Sequence, residues 1–444
     1  MSTYSVTRWS AKIAITLALC VSAACAAAGP ADEARIETLI RAIEPKVIEW
    51  RRDIHQHPEL SNREFRTAKL VAEHLKKLGL EVETGIAHTG VVALLKGGKP
   101  GPTIALRADM DALPVTEKTN VPFRSRVTAS YRGETVGVMH ACGHDVHTAV
   151  LMGAAQVLTQ LRAEIPGSVL FIFQPAEEGA PEGEEGGAEL MLKQGLFDKY
   201  RPQVAFGMHT RSLLRTGEIG VRGGPIMAAS DAFRIVIKGR QAHGSAPWEG
   251  VDPIVVSAQV INALQTVVSR QVDITHVPAV LTVGAIKGGI RHNIIPDSVE
   301  MIGTIRTFDK NQREQLIARA TRIVENTAAA AGATATFEIA PGSNPVVIND
   351  PELLERMLPT FQRVAGKDRV KQLSLITGAE DFAFFANTVP SVFFFLGITP
   401  PDQDPAKAPS HHSDLFYVDE GSIPVGLRAM VSVALDYLAA SGPS

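Results

Sequence analysis

Val169-Leu170-Phe171-Ile172-Phe173-Gln174-Pro175-Ala176-Glu177-Glu178-Gly179 sets an uninterrupted apolar run against a proline and two adjacent carboxylates. A short β-branched and aromatic run without polar alternation reads as a strand buried on both faces, the habit of parallel sheets. Pro175 cannot donate to a sheet ladder, so the strand stops near it and Glu177 and Glu178 fall in the loop beyond. Val91–Leu95, Thr103–Ala108 and Val204–Gly207 repeat the apolar run, while Glu64–Leu80 and His144–Leu161 carry apolar residues at helical spacing. Strands alternating with helices predict an α/β domain with a mostly parallel central sheet flanked by helices. Chemistry in such sheets sits in loops beyond the strand ends.

From about Ser230 the pattern changes. Strand Asp231–Lys238, helix Pro253–Arg270, strands Ala279–Lys287 and Ser298–Thr307, helix Asn311–Ala331 and strand Ala333–Ala340 follow in the order βαββαβ, the signature of a ferredoxin-like α+β unit. Gly223-Gly224-Pro225 and Pro341-Gly342-Ser343 supply breakers at its ends and are the expected hinges. Residues 226–341 therefore read as an inserted lid domain, and 29–225 and 342–444 as two parts of one catalytic domain. Helices near Asp350–Val364 and Ile423–Ala440 belong to the second part.

Residues 1–28 place Arg8 and Lys12 before the apolar run Ile13–Val21 and end in Ala26-Ala27-Ala28, the layout of a cleavable signal peptide. The expected destination is periplasmic or secreted, with lipid attachment at Cys20 or Cys25 as the lesser alternative. The apolar run falls short of the ~20 residues of a bilayer span, so no stable membrane span is expected. Cleavage moves the formal charge from −3 to −5. That balance, without long basic runs, argues against nucleic acid and for a small molecule or peptide as partner.

Cys142 is the one cysteine outside residues 1–28, so no disulfide partner remains for it. It stands in Met139-His140-Ala141-Cys142-Gly143-His144-Asp145-Val146-His147-Thr148, where Gly143 lets Cys142 and His144 turn toward one site. Of the adjacent carboxylates Glu177 and Glu178, one can bind metal while the other stays free as a general base. Val204–Met208 delivers His209 at its end, and Ser410-His411-His412-Ser413-Asp414 follows a proline-rich loop. Each feature alone has a plain structural reading: a buried thiol, a solvated acidic loop, a surface histidine pair. Together they offer five ligands and a spare carboxylate, more than a closed four-ligand site uses. Two divalent ions sharing one ligand account for the surplus, and zinc, manganese and cobalt all tolerate the mixed donors. Asp109 and Asp111 either orient ligands or cap backbone groups, Asp145 and His147 are expected to cap a helix, and Glu380 and Asp381 either support the site or cap the next helix. Arg306 and Asn293 are the candidates for a substrate carboxylate.

Ordered motifs run over nearly the whole chain: HQHPEL (His55–Leu60), LRADMDALP (Leu106–Pro114), MHACGHDVHT (Met139–Thr148), FQPAEEG (Phe173–Gly179), AHGSAPWEGVDPI (Ala242–Ile254), HNIIP (His292–Pro296), GTIR (Gly303–Arg306), GAEDFAFF (Gly378–Phe385) and HHSDLFYVDE (His411–Glu420). In these the chain resembles the amidohydrolase branch of the dinuclear aminoacylase and carboxypeptidase superfamily, the branch of hippurate hydrolases and indole-acetyl-amino-acid hydrolases. The resemblance implies Cys142 as the bridging ligand, Glu178 and His412 completing one metal position, and His144 and His209 the other. It implies Glu177 as the general base and His243 of the lid as hydrogen-bond donor to the developing oxyanion, in its own chain or in the neighbouring subunit of a homodimer or higher oligomer. The implied substrate is an N-acyl or N-aroyl amino acid, with a dipeptide or other small peptide as the alternative. Glu177 argues against a catalytically silent binding protein, which has no use for a free carboxylate there. Asp414, Thr210-Arg211 and His292 depart from the family pattern, and the last two bear on the substrate-facing rim.

Overall fold

A computed structural model of the chain describes residues 30–441; the expected signal segment, with Cys20 and Cys25, lies outside the described residues. An eight-stranded sheet runs in the order Glu81–Ile86, Gly90–Lys96, Pro166–Gln174, Lys99–Asp109, Val204–Arg215, Ser391–Thr399, Ile219–Val221, Val370–Gln372. Pro166–Gln174, Lys99–Asp109, Val204–Arg215 and Ser391–Thr399 run parallel to their neighbours in this group, and antiparallel pairing begins on either side of it. The apolar run that predicted a doubly buried strand is one of these: Val169, Phe171 and Phe173 face one core while Leu170 and Ile172 face the other. The first core is closed by helices Pro30–Gln56, His144–Gln160 and Ile423–Ser441, and the second by Gly187–Lys193 and Phe382–Ala386.

Strand period explains an oddity of the Lys99–Asp109 strand. Ile104, Leu106 and Ala108 alternate into the first core, so Arg107 points with Ala105 to the opposite face, where it is fully buried. The helical segment Glu420–Ser441 is long and apolar enough to cross a membrane, but 61% of its window is buried against the rest of the fold. Its length and hydropathy are those of a core helix.

A separate four-stranded antiparallel sheet follows the expected βαββαβ order: Ala229–Lys238, helix Pro253–Gln271, Ala279–Gly288, Ser298–Thr307, helix Lys310–Ala330 and Thr334–Ile339. Its spatial order, with Ala279–Gly288 and Thr334–Ile339 at the edges, is the ferredoxin-like one. Val256, Val260 and Leu264 of one helix and Leu316, Ala320 and Val324 of the other, each four residues apart, pack on Phe233, Ile235 and Ile237. Asp252 and Asp309 start the two helices by accepting backbone N–H groups with their side chains.

The breaker Gly223-Gly224-Pro225 runs into a short strand, Gly224–Met227, which pairs antiparallel with Val347–Asn349, and Ser230 and Asn344 exchange backbone hydrogen bonds at 2.9 and 3.1 Å. The two connections between the sheets thus run as one ribbon, because backbone groups brought side by side pair rather than stay unsatisfied. Val204–Arg215 also continues well past the expected end, so His209 sits inside a strand. The neighbouring Lys99–Asp109 ladder ends at Arg107 opposite Gly207, while Ser391–Thr399 goes on pairing. His209 therefore faces a crevice that opens where one neighbour strand leaves.

Candidate metal centre

The crevice gathers residues from segments distant in sequence. Cys142-Gly143-His144 leads into the helix His144–Gln160. Gly143 takes φ +92°, and a Cβ there would stand 2.3 Å from Thr210 Oγ1, so glycine is required if Cys142 and His144 are both to face inward. Cys142 Sγ lies 3.5 Å from His209 Nε2, and the ligand atoms of Cys142, His144 and His209 all lie within 4.8 Å of one another. Cys142, Glu178 and His412 form a second group of the same compactness. His412, at φ +67°, donates its backbone N–H to the Ala141 carbonyl at 2.8 Å, which turns its ring toward Glu178 with Nε2 3.2 Å from Oε1. The two triplets meet at Cys142.

Hydrogen bonds set the tautomers. His209 Nδ1 lies 2.7 Å from the Thr210 carbonyl oxygen, so Nδ1 carries the proton and Nε2 keeps its lone pair for the site. His144 turns Nδ1 toward Asp111 Oδ1 at 3.3 Å, leaving Nε2 3.8 Å from Glu177 Oε2 and from Glu178 Oε1. Asp111 also accepts the backbone N–H groups of Glu177 at 3.1 Å and Glu178 at 2.9 Å. His147 Nε2 accepts the Thr210 N–H at 2.9 Å, so its Nδ1–H donates to Asp109 Oδ1 at 2.6 Å. Asp109 and Asp111 are thus orienting groups. The capping expected of Asp145 and His147 is not found. The helix begins at Gly143 without a side-chain cap, and Asp145 instead accepts from Arg51 Nε and His55 Nδ1, both at 2.8 Å, in a buried cluster.

The electrostatics call for cations. Burial and the carboxylates of Glu178 and Glu177 push the Cys142 thiol well above its ordinary value. Burial opposes charge on His144, yet Asp109 and Asp111 raise it to about 10. Both ring nitrogens of His144 are buried without a hydrogen bond of good geometry, which is costly in a protein that leaves them so. Imidazole, thiolate and carboxylate donors in two triplets that share a sulfur fit two divalent ions: His144 and His209 with Cys142 would hold one, and Glu178 and His412 with Cys142 the other. Cys142→Ser is expected to lower metal occupancy, and bound metal to slow alkylation of the native thiol relative to the chelated protein. Equal alkylation rates in the two states would remove Cys142 from the ligand set.

Glu177 stands beside these groups with its side chain 8% exposed. Burial, then the charges of Glu380 and Glu178, push its carboxyl well above the usual range, as a proton-accepting base in a dry site requires. Carboxylate oxygens of Glu177, Glu380 and Asp381 lie within 4.8 Å of one another. The charge opposite them is Arg107, which donates to Gln174 Oε1 at 2.8 Å, Asp109 Oδ2 at 2.6 Å, Glu380 Oε1 at 2.8 Å and Asp381 Oδ1 at 3.0 Å. Glu380 caps the helix Phe382–Ala386 through the Phe382 N–H at 2.9 Å, whereas Asp381 makes no cap bond. Arg107 is not among the expected site residues, although an arginine inside the apolar run Thr103–Ala108 marks it.

Arg306 reaches this place from the second sheet: with Cys142, Glu177, Glu178, His209, Arg211 and His412 it lines a cavity of about 430 Å³. His243 and Asn293 do not line it. His243 lies exposed in the short strand Ala242–His243, where Nδ1 accepts the Ser245 N–H at 3.0 Å, and the Asn293 carbonyl accepts the Gly244 N–H at 2.9 Å. The pairing of Ala242–His243 with Ile294–Ile295 holds both residues on a short surface ribbon. Asp414 pairs with Lys118 at 2.7 Å, and His292 lines a different surface hollow, so neither shapes this cavity.

A profile of Peptidase family M20/M25/M40 matches residues 105–436. Thermostable carboxypeptidase 2 of Saccharolobus solfataricus is 41% identical over 404 residues, 91% of this chain and 98% of its own. N-acetylcysteine deacetylase of Bacillus subtilis is 38% identical over 396 residues, 89% of this chain and 97% of its own. A solved structure of a dinuclear metal-binding peptidase of Bacillus subtilis superposes with a TM-score of 0.73 at 36% identity, covering 90% of this chain and 99% of that one.

Proposed function

The chain belongs to Peptidase family M20/M25/M40, dinuclear metal hydrolases of amide bonds, and from that premise we propose that it is an exported hydrolase of N-acyl or N-aroyl amino acids. The observation that carries the reading is the free carboxylate of Glu177 beside two ligand triplets that meet at Cys142. Bound divalent ions would supply Lewis acidity to the scissile carbonyl and acidify the attacking water. Glu177 takes the proton of that water and returns it to the leaving amine, with burial and the neighbouring carboxylates of Glu380, Glu178 and Asp381 keeping its proton affinity high. Asp111 holds the Glu177 and Glu178 backbone, and Asp109 holds His147 and through it Thr210. Arg306 provides a guanidinium for the substrate carboxylate.

N-acetylcysteine deacetylase removes an acyl group from an amino acid, which supports the substrate class, while the carboxypeptidase relative supports small peptides as the second reading. A panel of N-acyl amino acids and dipeptides with metal-replete protein separates them. Faster cleavage of the dipeptides would overturn the first reading. Export rests on residues 1–28, and a mature N-terminus at Gly29 in the periplasm or medium is its test.

His243 lies outside the cavity of its own chain, and the edge strand Ala279–Gly288 exposes Val280 and Ile286. Both support a homodimer in which His243 serves the neighbouring subunit's site. Mixing His243→Ala with Glu177→Gln subunits is then expected to restore part of the activity that each lacks, because one composite site per heterodimer holds both groups. No recovery after proven subunit exchange would assign His243 to its own chain.

A further inference from the structure

The strand that carries His209 carries a second group which neither the metals nor the base requires. Arg211 is two residues on, so it projects from the same strand face, its Cα about 6.6 Å further along. With His209 and Glu178 it lines the 430 Å³ cavity. Its side chain is half-buried, and among the described residues no carboxylate pairs with it. The two fully buried arginines of this domain are matched by carboxylates: Arg51 by Asp145 and Glu420, Arg107 by Asp109, Glu380 and Asp381. An arginine cannot shed its charge by deprotonation, so a desolvated, unmatched guanidinium in a cavity is stabilised when an anion enters.

Arg306 faces the same cavity from the second domain, and it too lacks a carboxylate contact. Asp231, the acid that acts on it, is engaged by Arg313 Nε at 2.7 Å. The cavity therefore presents two uncommitted guanidinium groups, one from each domain, where a substrate with a single carboxylate uses one. The Arg211 guanidinium carbon lies 5.4 Å from the centroid of the Phe395 ring, a cation–π contact that holds the fork in place before a ligand arrives.

We propose that Arg211 is a specificity-determining residue that binds a second carboxylate, so that the preferred substrates are N-acyl amino acids carrying one acid group beyond that taken by Arg306. The inference rests on the amide-hydrolase reading and narrows it. The second carboxylate has two possible sources, the amino-acid side chain or the far end of the acyl group.

The test compares kcat/KM for N-acetyl-methionine, N-acetyl-glutamate and N-succinyl-methionine with metal-replete protein. One of the two diacids is expected to exceed N-acetyl-methionine by at least about 10-fold, and which one identifies the source. Arg211→Gln is expected to lower that ratio by roughly 10- to 100-fold, mainly through KM, as loss of a charge-assisted fork contact does. Arg211→Lys, which keeps the charge and loses the fork, is expected to restore part of it. Equal kcat/KM for all three substrates, or a ratio unchanged in Arg211→Gln, would overturn the proposal. Should none of the three be cleaved, the substrate reading fails first. Arg211 is then judged by binding: glutarate is expected to raise the Tm of the metal-loaded native protein more than butyrate does, and Arg211→Gln to abolish the difference. Equal shifts in the native protein would overturn the role of Arg211 independently of turnover.

Discussion

Glu177→Gln is expected to retain fold and bound metal while losing turnover by ~10²-fold or more, the usual cost of removing a positioned general base. The substitution is nearly isosteric. Asp111 holds the position through the Glu177 backbone N–H, so the loop is expected to stay where it is. What disappears is a carboxylate able to accept a proton and release it to the amine. Metal content by elemental analysis and circular dichroism check that the variant is intact, and steady-state rates on the best acyl amino acid measure the loss. Near-native turnover in a metal-replete variant would move the base elsewhere, and Glu380, within 4.8 Å of the same group, is the next candidate.

Arg107→Met is expected to destabilise the protein by about 3–5 kcal/mol, the range found when one partner of a buried ion pair is removed and the other is left. Asp109, Glu380 and Asp381 would then share a dry pocket without their cation. The pH dependence has a definite sign. Burial raises Glu380 to about 8 and Asp381 to about 6 even with Arg107 opposing it. A carboxyl whose folded pKa is raised contributes stability that is complete below its unfolded pKa and is lost as pH rises through the folded one. Without Arg107 both values rise further, so the part of the deficit carried by Glu380 and Asp381 is expected to be absent near pH 4 and to grow toward pH 8. Urea denaturation of the metal-free native and variant proteins at several pH values measures it. A deficit independent of pH would mean that Arg107 acts by packing rather than by charge.

Much of the site was legible in order along the chain because its ligands stand where sequence grammar marks strand ends and turns. Pro175 after Val169–Phe173 placed Glu177 and Glu178 beyond a strand, and Gly143 between Cys142 and His144 marked a turn that a side chain would block against Thr210. The βαββαβ unit was equally legible, because its helices bury residues at fixed four-residue spacing and its strands alternate. Periodicity is a local property, so sequence alone determines it.

Other features depended on neighbours far away in sequence. Asp145 looks like a capping residue from its position at a helix start, but Arg51 and His55 of the first helix claim its carboxylate. His209 was expected at a strand end, yet the strand runs on, because Ser391–Thr399 pairs with it to Arg215 while the neighbour on the other side departs after Arg107. Arg107 and Arg211 carry the same charge and the same side chain on parallel strands. One is surrounded by carboxylates arriving from Gly378–Asp381, and the other is left facing a cavity. The chain by itself determined which residues could bind metal, accept a proton or fill a core, since those are properties of side chains and local period. Which charges are matched and which stay open to a substrate was decided only by the tertiary fold, since pairing depends on which distant segments the sheet order brings within contact distance.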